Sequence, residues 1–218
     1  MTKPSSQKAK NGLGTNILIL LICLSLLGLA TVYALDFFEE TRNIQRQADN
    51  KLVEFSISAT KMQAPRTWIT SDFNEEQSVV NLLQLSIPIE IEDFSIKVTT
   101  TLLPAARAAP SAYLLDSLYI HNFAPGPSDQ RFGLVVKKLR NEAGYEDESI
   151  WYDALSASPF VAKCLNEEAA NTNAKNCITT VLVNKRVSAL IQFEQSLMPY
   201  WRPFSVAMER RLASLQAN

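Results

Sequence analysis

The sequence contains few of the residue types on which catalytic and metal sites depend. It has a single histidine, His121, and three cysteines, of which Cys23 lies in an apolar run. No Gly-x-Ser-x-Gly motif occurs, and no nucleophile, base and orienting group stand at a recognisable spacing. We therefore predict no catalytic residue, no metal ligand and no cofactor, and a protein that is not an enzyme.

The sequence also lacks an excess of positive charge. The whole chain carries a net charge of −1, and residues 1–35 contain three lysines and no acidic residue, so residues 36–218 carry −4. Proteins that bind nucleic acid usually present a basic surface to the phosphates. A mildly acidic chain with scattered charges predicts no nucleic-acid partner, and it leaves a small-molecule ligand open.

One stretch of the chain lacks charge altogether. Residues 17–35 contain no charged residue and no proline. A helix over them is roughly 28 Å long at about 1.5 Å per residue, which nearly matches the hydrocarbon core of a bilayer, about 30 Å thick. We predict a cytoplasmic tail at residues 1–15 and a transmembrane anchor at residues 16–35.

The charges that flank this stretch predict its orientation. Three lysines precede it, and Asp36 is the first charged residue after it. Because lysine and arginine stay on the cytoplasmic side of a membrane segment, we expect a single-pass protein of the bacterial inner membrane, with a cytoplasmic N-terminus and a periplasmic C-terminal part. The alternative is a secretory signal cleaved after Ala34, where small residues suit the cleavage site.

The two cysteines beyond the anchor are predicted to form a disulfide. Cys164 and Cys177 both lie in the exported part, where oxidising conditions let thiols pair. Closing a loop of about 14 residues stabilises a fold by on the order of 3 kcal/mol. Metal binding is the competing interpretation, but it needs more ligands nearby, and His121 is far away in the sequence.

Apolar periodicity beyond the anchor predicts that its helix continues. Apolar residues recur there at steps of three and four, with polar residues between them, as far as Pro65. The pattern predicts an extended amphipathic helix over residues 36–65, whose apolar stripe contacts a partner helix. The residues of this partner-helix face are Phe37, Thr41, Ile44, Ala48, Leu52 and Phe55.

Residues 66–218 are predicted to form a periplasmic α+β domain. Residues 87–101 alternate between apolar and polar, and a phase slip at Asp93-Phe94 indicates a bulge or two short strands. The predicted fold class is α+β. A single N-terminal transmembrane helix is expected to continue into a long helix, followed by a small exported domain with a mostly antiparallel sheet.

The C-terminal part of this domain carries the clearest local patterns. Two apolar runs, 178–183 and 187–193, flank a short connection in which Asn184 can take a left-handed conformation, which predicts a β-hairpin. Residues 204–215 have the period of an amphipathic helix, and residues 113–123 are interpreted as another strand.

Two further patterns are assigned to ordinary structure. Residues 153–158, Asp-Ala-Leu-Ser-Ala-Ser, approach an Asp-x-Ser-x-Ser metal loop, but Leu155 stands in place of the first serine and leaves too few oxygen ligands. Glu90 and Glu92 are two residues apart and have the spacing of paired carboxylates on one strand face, but an amphipathic strand has such a polar face in any case.

The N-terminal part of the chain resembles TadE/TadG-like Flp pilus-assembly proteins. The residues that carry the resemblance are Lys10-Asn11-Gly12, Leu26-Leu27-Gly28-Leu29, Leu35-Asp36 and Asn43-Ile44-Gln45-Arg46-Gln47-Ala48-Asp49. In that family a basic residue and a glycine precede the anchor, an aspartate closes it, and a helix with a Gln-x-x-Asp-type signature follows. The corresponding residues here are Gly12, Asp36, Gln45 or Gln47, and Asp49.

This resemblance covers residues 10–62 and departs from the family at residues 50–55, where an alanine-rich stretch is usual. It implies a bitopic inner-membrane component of a pilus or secretion apparatus that acts by lateral helix packing. The first functional hypothesis is accordingly a structural or assembly protein of a Flp/Tad-type envelope machine, with other membrane-anchored subunits as its partners. The second is a membrane-anchored periplasmic binding or sensing module that regulates a neighbouring membrane protein. A ligand pocket in the exported domain favours the second.

Overall fold

Antiparallel β-strands dominate the structure. A computed structural model describes residues 51–74, 78–92, 94–145, 147–165 and 177–216. These residues form an eight-stranded sheet, a separate two-stranded hairpin and two short α-helices. The strands are β1 (Leu52–Ile57), β2 (Thr60–Pro65), β3 (Leu83–Ile91), β4 (Phe94–Pro104), β5 (Asp129–Arg131), β6 (Leu134–Lys138), β7 (Glu148–Tyr152), β8 (Val161–Leu165), β9 (Cys177–Leu182) and β10 (Val187–Phe193). The helices are α1 (Ser111–Leu114) and α2 (Trp201–Ala213).

The larger sheet has a non-sequential strand order. Its strands follow each other as β3-β4-β10-β9-β8-β7-β6-β5, and every pair is antiparallel. The last strand of the chain, β10, lies between β4 and β9 in the interior of the sheet. β1 and β2 form the separate two-stranded hairpin, and isolated bridges join Ser56 of β1 to Val79 and Met62 of β2 to Gln216.

Period-two alternation gives the large sheet one apolar face. In β3 every second side chain is buried, and the residues between them are partly or fully exposed. The β1–β2 hairpin and α2 cover this face and close the main core with it. The buried residues of α2 recur at helical spacing, at Trp201, Phe204, Met208 and Leu212.

A proline occupies the edge strand β3. On the outer side of this strand the N–H of Thr70 donates to the carbonyl of Gln84 at 3.0 Å. Alternate residues of a strand direct their backbone groups to the same side, so the nitrogen of Pro88 also lies on the outer side. Proline is tolerated there because it removes no hydrogen bond between β3 and β4.

The opposite face of the sheet carries a smaller core. α1 continues as a π-helical turn, residues 115–119, and a 3-10 turn, residues 120–122. The strand predicted over residues 113–123 is therefore wrong, because this segment is helical. Its apolar side chains pack against β7 and β8, and the buried members of this core are Leu115, Tyr119, Leu139, Ile150 and Val161.

A partly buried ion pair accompanies the smaller core. Nζ of Lys163 lies 2.8 Å from Oε1 and 2.9 Å from Oε2 of Glu148. Burial, together with coulombic repulsion from Tyr145 and Glu148, raises the pKa of Tyr119 to about 12. The phenol of Tyr119 therefore stays neutral at physiological pH and serves this core as a largely apolar ring.

The predicted long helix is wrong in its described part. Residues 52–65 form the β1–β2 hairpin instead. Leu52 and Phe55 are three residues apart, so they point to opposite faces of β1, where Leu52 is 54% exposed and Phe55 is 1% exposed. They therefore share no partner-helix face. The hairpin turns at Ser58 and Ala59, whose φ angles of 50° and 60° are those of a type I′ turn.

The predicted fold class needs the same correction. The described residues form a mostly antiparallel β-fold with two short helices, and the long N-terminal helix of the α+β prediction is absent from residue 52 onward. Among these residues no helix is long and apolar enough to cross a membrane. The predicted tail and anchor lie outside the described residues, as do four residues of the partner-helix face: Phe37, Thr41, Ile44 and Ala48.

The predicted C-terminal hairpin and helix are confirmed, whereas Asn184 does not take the left-handed conformation expected of it. β9 and β10 form the expected hairpin, and α2 occupies most of the predicted helix. Asn184 contributes to the turn through its side chain, because its Oδ1 accepts from the N–H groups of Arg186 at 2.9 Å and Val187 at 3.0 Å.

The predicted disulfide is confirmed as well. Cys164 of β8 and Cys177 of β9 stand directly opposite each other and are bonded, with their Cα atoms 4.1 Å apart. Both side chains are buried in the main core. The bond therefore joins two neighbouring strands of the large sheet.

Replacing both Cys164 and Cys177 by alanine should lower the free energy of unfolding by about 2–4 kcal/mol, because the unfolded chain loses its loop constraint. Urea unfolding followed by tryptophan fluorescence measures the change. Wild-type protein in reductant is the control and should unfold near the midpoint of the variant. Equal midpoints for the variant and the oxidised wild type would contradict the prediction.

Thr100 of β4 is fully buried, and its hydroxyl has no hydrogen-bond partner among the described residues. Thr100→Val should raise the free energy of unfolding by about 1 kcal/mol, because a buried hydroxyl without a partner costs about 1–3 kcal/mol. Thr101→Val, the same change on the half-buried opposite face, is the control and should shift stability by less than about 0.5 kcal/mol. Calorimetry that finds Thr100→Val less stable than wild type would disprove the expectation.

Candidate functional site

The ladder between β8 and β9 is the shortest in the described part of the large sheet. It holds two residue pairs, Lys163↔Ile178 and Cys164↔Cys177. β9 continues to Leu182 in register with β10, whereas the chain that precedes β8 turns away as the loop from β7. The two strands part, and a cleft opens between them.

Two side chains replace backbone hydrogen bonds where the strands part. Oγ1 of Thr179 donates to the carbonyl of Val161 at 2.6 Å. The N–H of Thr180 donates to Oγ of Ser111, the first residue of α1, at 2.8 Å. These bonds stabilise the parted strands, because a buried backbone group without a partner costs about 1–3 kcal/mol.

The cleft is large enough for a ligand. Its volume is about 750 Å³, and ligand sites in proteins typically enclose roughly 300–1,000 Å³. Its apolar lining includes Phe160, Val181, Ile191, Phe204, Met208 and Leu212. Its polar lining includes Ser111, Asp153, Thr180, Arg202, Glu209 and Gln216.

Contacts at both ends of α2 fix this helix as one wall of the cleft. The rings of Phe160 and Trp201 stack with their centroids 5.4 Å apart, and Nε1 of Trp201 donates to the carbonyl of Phe132 at 3.0 Å. Beyond the other end of α2, Nε2 of Gln216 donates to the carbonyl of Val183 at 3.0 Å. The wall is therefore formed before any ligand binds, as in most ligand sites.

Apolar side chains continue from the cleft onto the surface around its mouth. Val206 and Leu182 line the cleft and are 55% and 51% exposed. Leu155 is 94% exposed in the loop between β7 and β8, and it lies between Asp153 and Ser156, which line the cleft. Exposed apolar side chains grouped around a cleft indicate contact with another molecule.

Three charged side chains line the cleft: Asp153, Arg202 and Glu209. The guanidinium of Arg202 lies over the indole of Trp201, with Cζ 4.9 Å from the ring centroid, in a cation–π contact. Oδ1 of Asp153 accepts from the N–H of Leu155 at 3.1 Å. The two carboxylates outnumber the one guanidinium, so the lining is mildly negative.

The residues singled out as possible ligands or acids lie apart from one another. The described part of the chain has no group of three histidine, cysteine or acidic side chains that could hold a metal ion. His121 lies in a helical turn, where its carbonyl accepts from the guanidinium of Arg140. Glu90 belongs to β3, whereas Glu92 lies in the following turn with a φ of 47°, so the two share no strand face.

None of the predicted site residues in the described part of the chain lines the cleft, although the cysteines belong to the two strands that border it. Their disulfide spans the short ladder at its closed end. Leu52 and Phe55 belong to the separate hairpin, where the ring of Phe55 meets that of Phe73 edge-on at 6.5 Å. No motif predicts the cleft, because its residues come from several separate segments of the chain.

The chain matches no protein-family model and no curated protein. Its fold is similar to a solved structure described as an immunity protein of the Stenotrophomonas maltophilia type IV secretion system. The two share 11% sequence identity at a TM-score of 0.54, over 78% of this chain and 94% of that one. The likeness shows a common fold.

Ser111→Ala should lower the free energy of unfolding by about 1–2 kcal/mol, because the Thr180 N–H loses its acceptor. Hydrogen exchange should also accelerate at the amide of Thr180. Ser117→Ala is the matched control, since the Ser117 hydroxyl donates to the carbonyl of Tyr113 at the surface. Unchanged protection of the Thr180 amide in Ser111→Ala would contradict this account of the cleft.

Proposed function

We propose that the protein is a membrane-anchored binding module of the bacterial periplasm that holds a partner polypeptide in the cleft between β8 and β9. The cleft itself carries the proposal. It combines an apolar lining, a polar rim and a preformed wall, which is the usual composition of a binding site.

The proposed location rests on the sequence and on the disulfide. The uncharged stretch of residues 17–35 serves as the membrane anchor, and the three lysines before it keep the N-terminus in the cytoplasm. The bond between Cys164 and Cys177 suits an oxidising compartment. Residues 51–216 then face the periplasm.

Binding in the cleft is favoured over assembly through a long helix. The partner-helix face ends at the hairpin, since Leu52 and Phe55 lie on opposite faces of β1. Membership of a Flp/Tad-type machine stays a prediction, because all the residues named for that resemblance precede residue 51. A protein of the same fold belongs, by its description, to a bacterial secretion system. This supports a role at an envelope machine for the present chain.

Exposed apolar side chains at the mouth favour a polypeptide over a small molecule as the partner. A small ligand is enclosed by its pocket, whereas Leu155 at 94% and Val206 at 55% exposure extend the apolar surface outside the cleft. Protein interfaces combine such apolar side chains with a polar rim. Asp153 and Glu209 contribute polar groups of this kind.

Site-specific photo-crosslinking in the native host tests the proposal on the full-length chain. A benzophenone amino acid at Val206 should give one discrete protein adduct. The same amino acid at the exposed Glu90 should give none, because β4 and β10 separate β3 from β9 in the sheet. Adducts of equal strength from both positions, or none from Val206, would overturn the proposal.

A tryptophan that fills the cleft tests whether the partner occupies it, and a tryptophan outside the cleft is the matched control. Ala213 lines the cleft at the exposed end of α2, and Arg210 is exposed on the same helix but does not line it. Combined with the benzophenone at Val206, Ala213→Trp should reduce the adduct at least fivefold, whereas Arg210→Trp should leave it unchanged. Equal effects of the two tryptophans would contradict occupancy of the cleft.

A further inference from the structure

We infer that the partner binds as an added β-strand: an extended polypeptide segment pairs with the edge of β9 at residues 180–182, inside the cleft. This inference rests on the proposed function and gives it a binding mode. In such strand addition, main-chain hydrogen bonds supply affinity and alternating side-chain pockets supply specificity.

Alternate residues of β9 direct their backbone N–H and C=O groups into the cleft. The N–H of Val183 donates to the carbonyl of Val187 at 2.9 Å, so residue 183 directs its backbone groups towards β10. By alternation, Thr180 and Leu182 direct theirs to the other side, where β8 would lie. The bond from the Thr180 N–H to Ser111 Oγ confirms this direction and occupies that donor, so an added strand would pair with the Thr180 carbonyl and with the backbone groups of Leu182.

The short ladder leaves this edge facing the cleft. Its last pair joins Lys163 to Ile178, so β9 continues for four more residues without a backbone partner from β8. From Thr180 to Leu182 the edge is about 7 Å long, and a paired strand lies about 4.8 Å from its neighbour. Both Thr180 and Leu182 line the cleft.

The two walls of the cleft predict which side chains the segment carries. Successive side chains of a strand point to opposite faces of a sheet. On one face an inserted strand meets the apolar residues Phe204 and Met208 of α2, and on the other it meets Ser111 and Ala112 of α1. Large apolar residues should therefore alternate with small ones.

Charge complementarity indicates basic residues beside this alternating core. Asp153 and Glu209 line the cleft, while the guanidinium of Arg202 is already seated on the indole of Trp201. The exported part of the chain is also acidic, with a net charge of −4 for residues 36–218. Lysine or arginine on the segment would be drawn to this lining.

The test uses the full-length chain in detergent and a blocked synthetic peptide, Lys-Val-Ser-Leu-Ser-Val-Lys. Isothermal titration calorimetry should detect its binding to the wild type. Two derivatives methylated on alternate backbone nitrogens, one on the valine and leucine residues and one on the serines, keep every side chain. One derivative should bind at least tenfold more weakly than the parent and the other within threefold, because only one set of N–H groups faces β9.

A variant pair tests the same contact from the protein side. Leu182→Pro removes the N–H that faces the cleft, whereas Leu182→Ala keeps it and removes only the exposed side chain. The proline variant should lose at least tenfold in affinity and the alanine variant less than threefold, with the folding of both checked by thermal melting.

The outcomes separate this inference from the proposed function. No binding of the peptide to the wild type, or equal affinity of the two methylated derivatives, would overturn strand addition. Loss of the Val206 adduct overturns the proposed function itself. If the Val206 adduct persists and the two methylated peptides bind with equal affinity, the cleft binds a protein through side-chain contacts and not by strand addition.

Discussion

Burial of one face of the eight-stranded sheet is the interaction on which the rest of this structure depends. β3 alone buries Leu83, Leu85, Ile87, Ile89 and Ile91 on that face, and burial of each such side chain is worth about 1.5–3 kcal/mol. The β1–β2 hairpin and α2 lie where they do because they cover this surface. Because α2 must cover the apolar face of the sheet, the core fixes the position of this helix and therefore of one wall of the cleft.

The cleft results from a balance between strand pairing and separation. The disulfide joins Cys164 and Cys177 at one end of the ladder, so β8 and β9 stay together there. Beyond that point Ser111 and Thr179 supply the hydrogen bonds that pairing would have made. An opening in the middle of a sheet is thereby stabilised, and the edge it exposes differs from an ordinary outer edge because both of its faces are covered. A strand entering it would be enclosed on each side.

Local chemistry accounts for what the sequence predicts well and what it does not. The hairpin of β9 and β10 is predictable because two apolar runs flank Asn184, and the disulfide because the sequence predicts both cysteines in an exported part. The β1–β2 hairpin is missed because Phe55 and Met62 are seven residues apart, which fits a helical period, although they stand opposite each other across the hairpin. Its turn also uses Ser58-Ala59 in place of a glycine-containing pair. The cleft is missed for a different reason. Its lining joins α1, α2, β9 and the loop before β8, so only the tertiary fold brings those residues together.

The proline of β3 has a consequence for crowding. Copies of a protein that are crowded together meet often, and a long outer strand with open amides is a template for joining them edge to edge. Pro88 interrupts that row of donors on the solvent side. Edge-to-edge pairing of β3 between copies is therefore disfavoured.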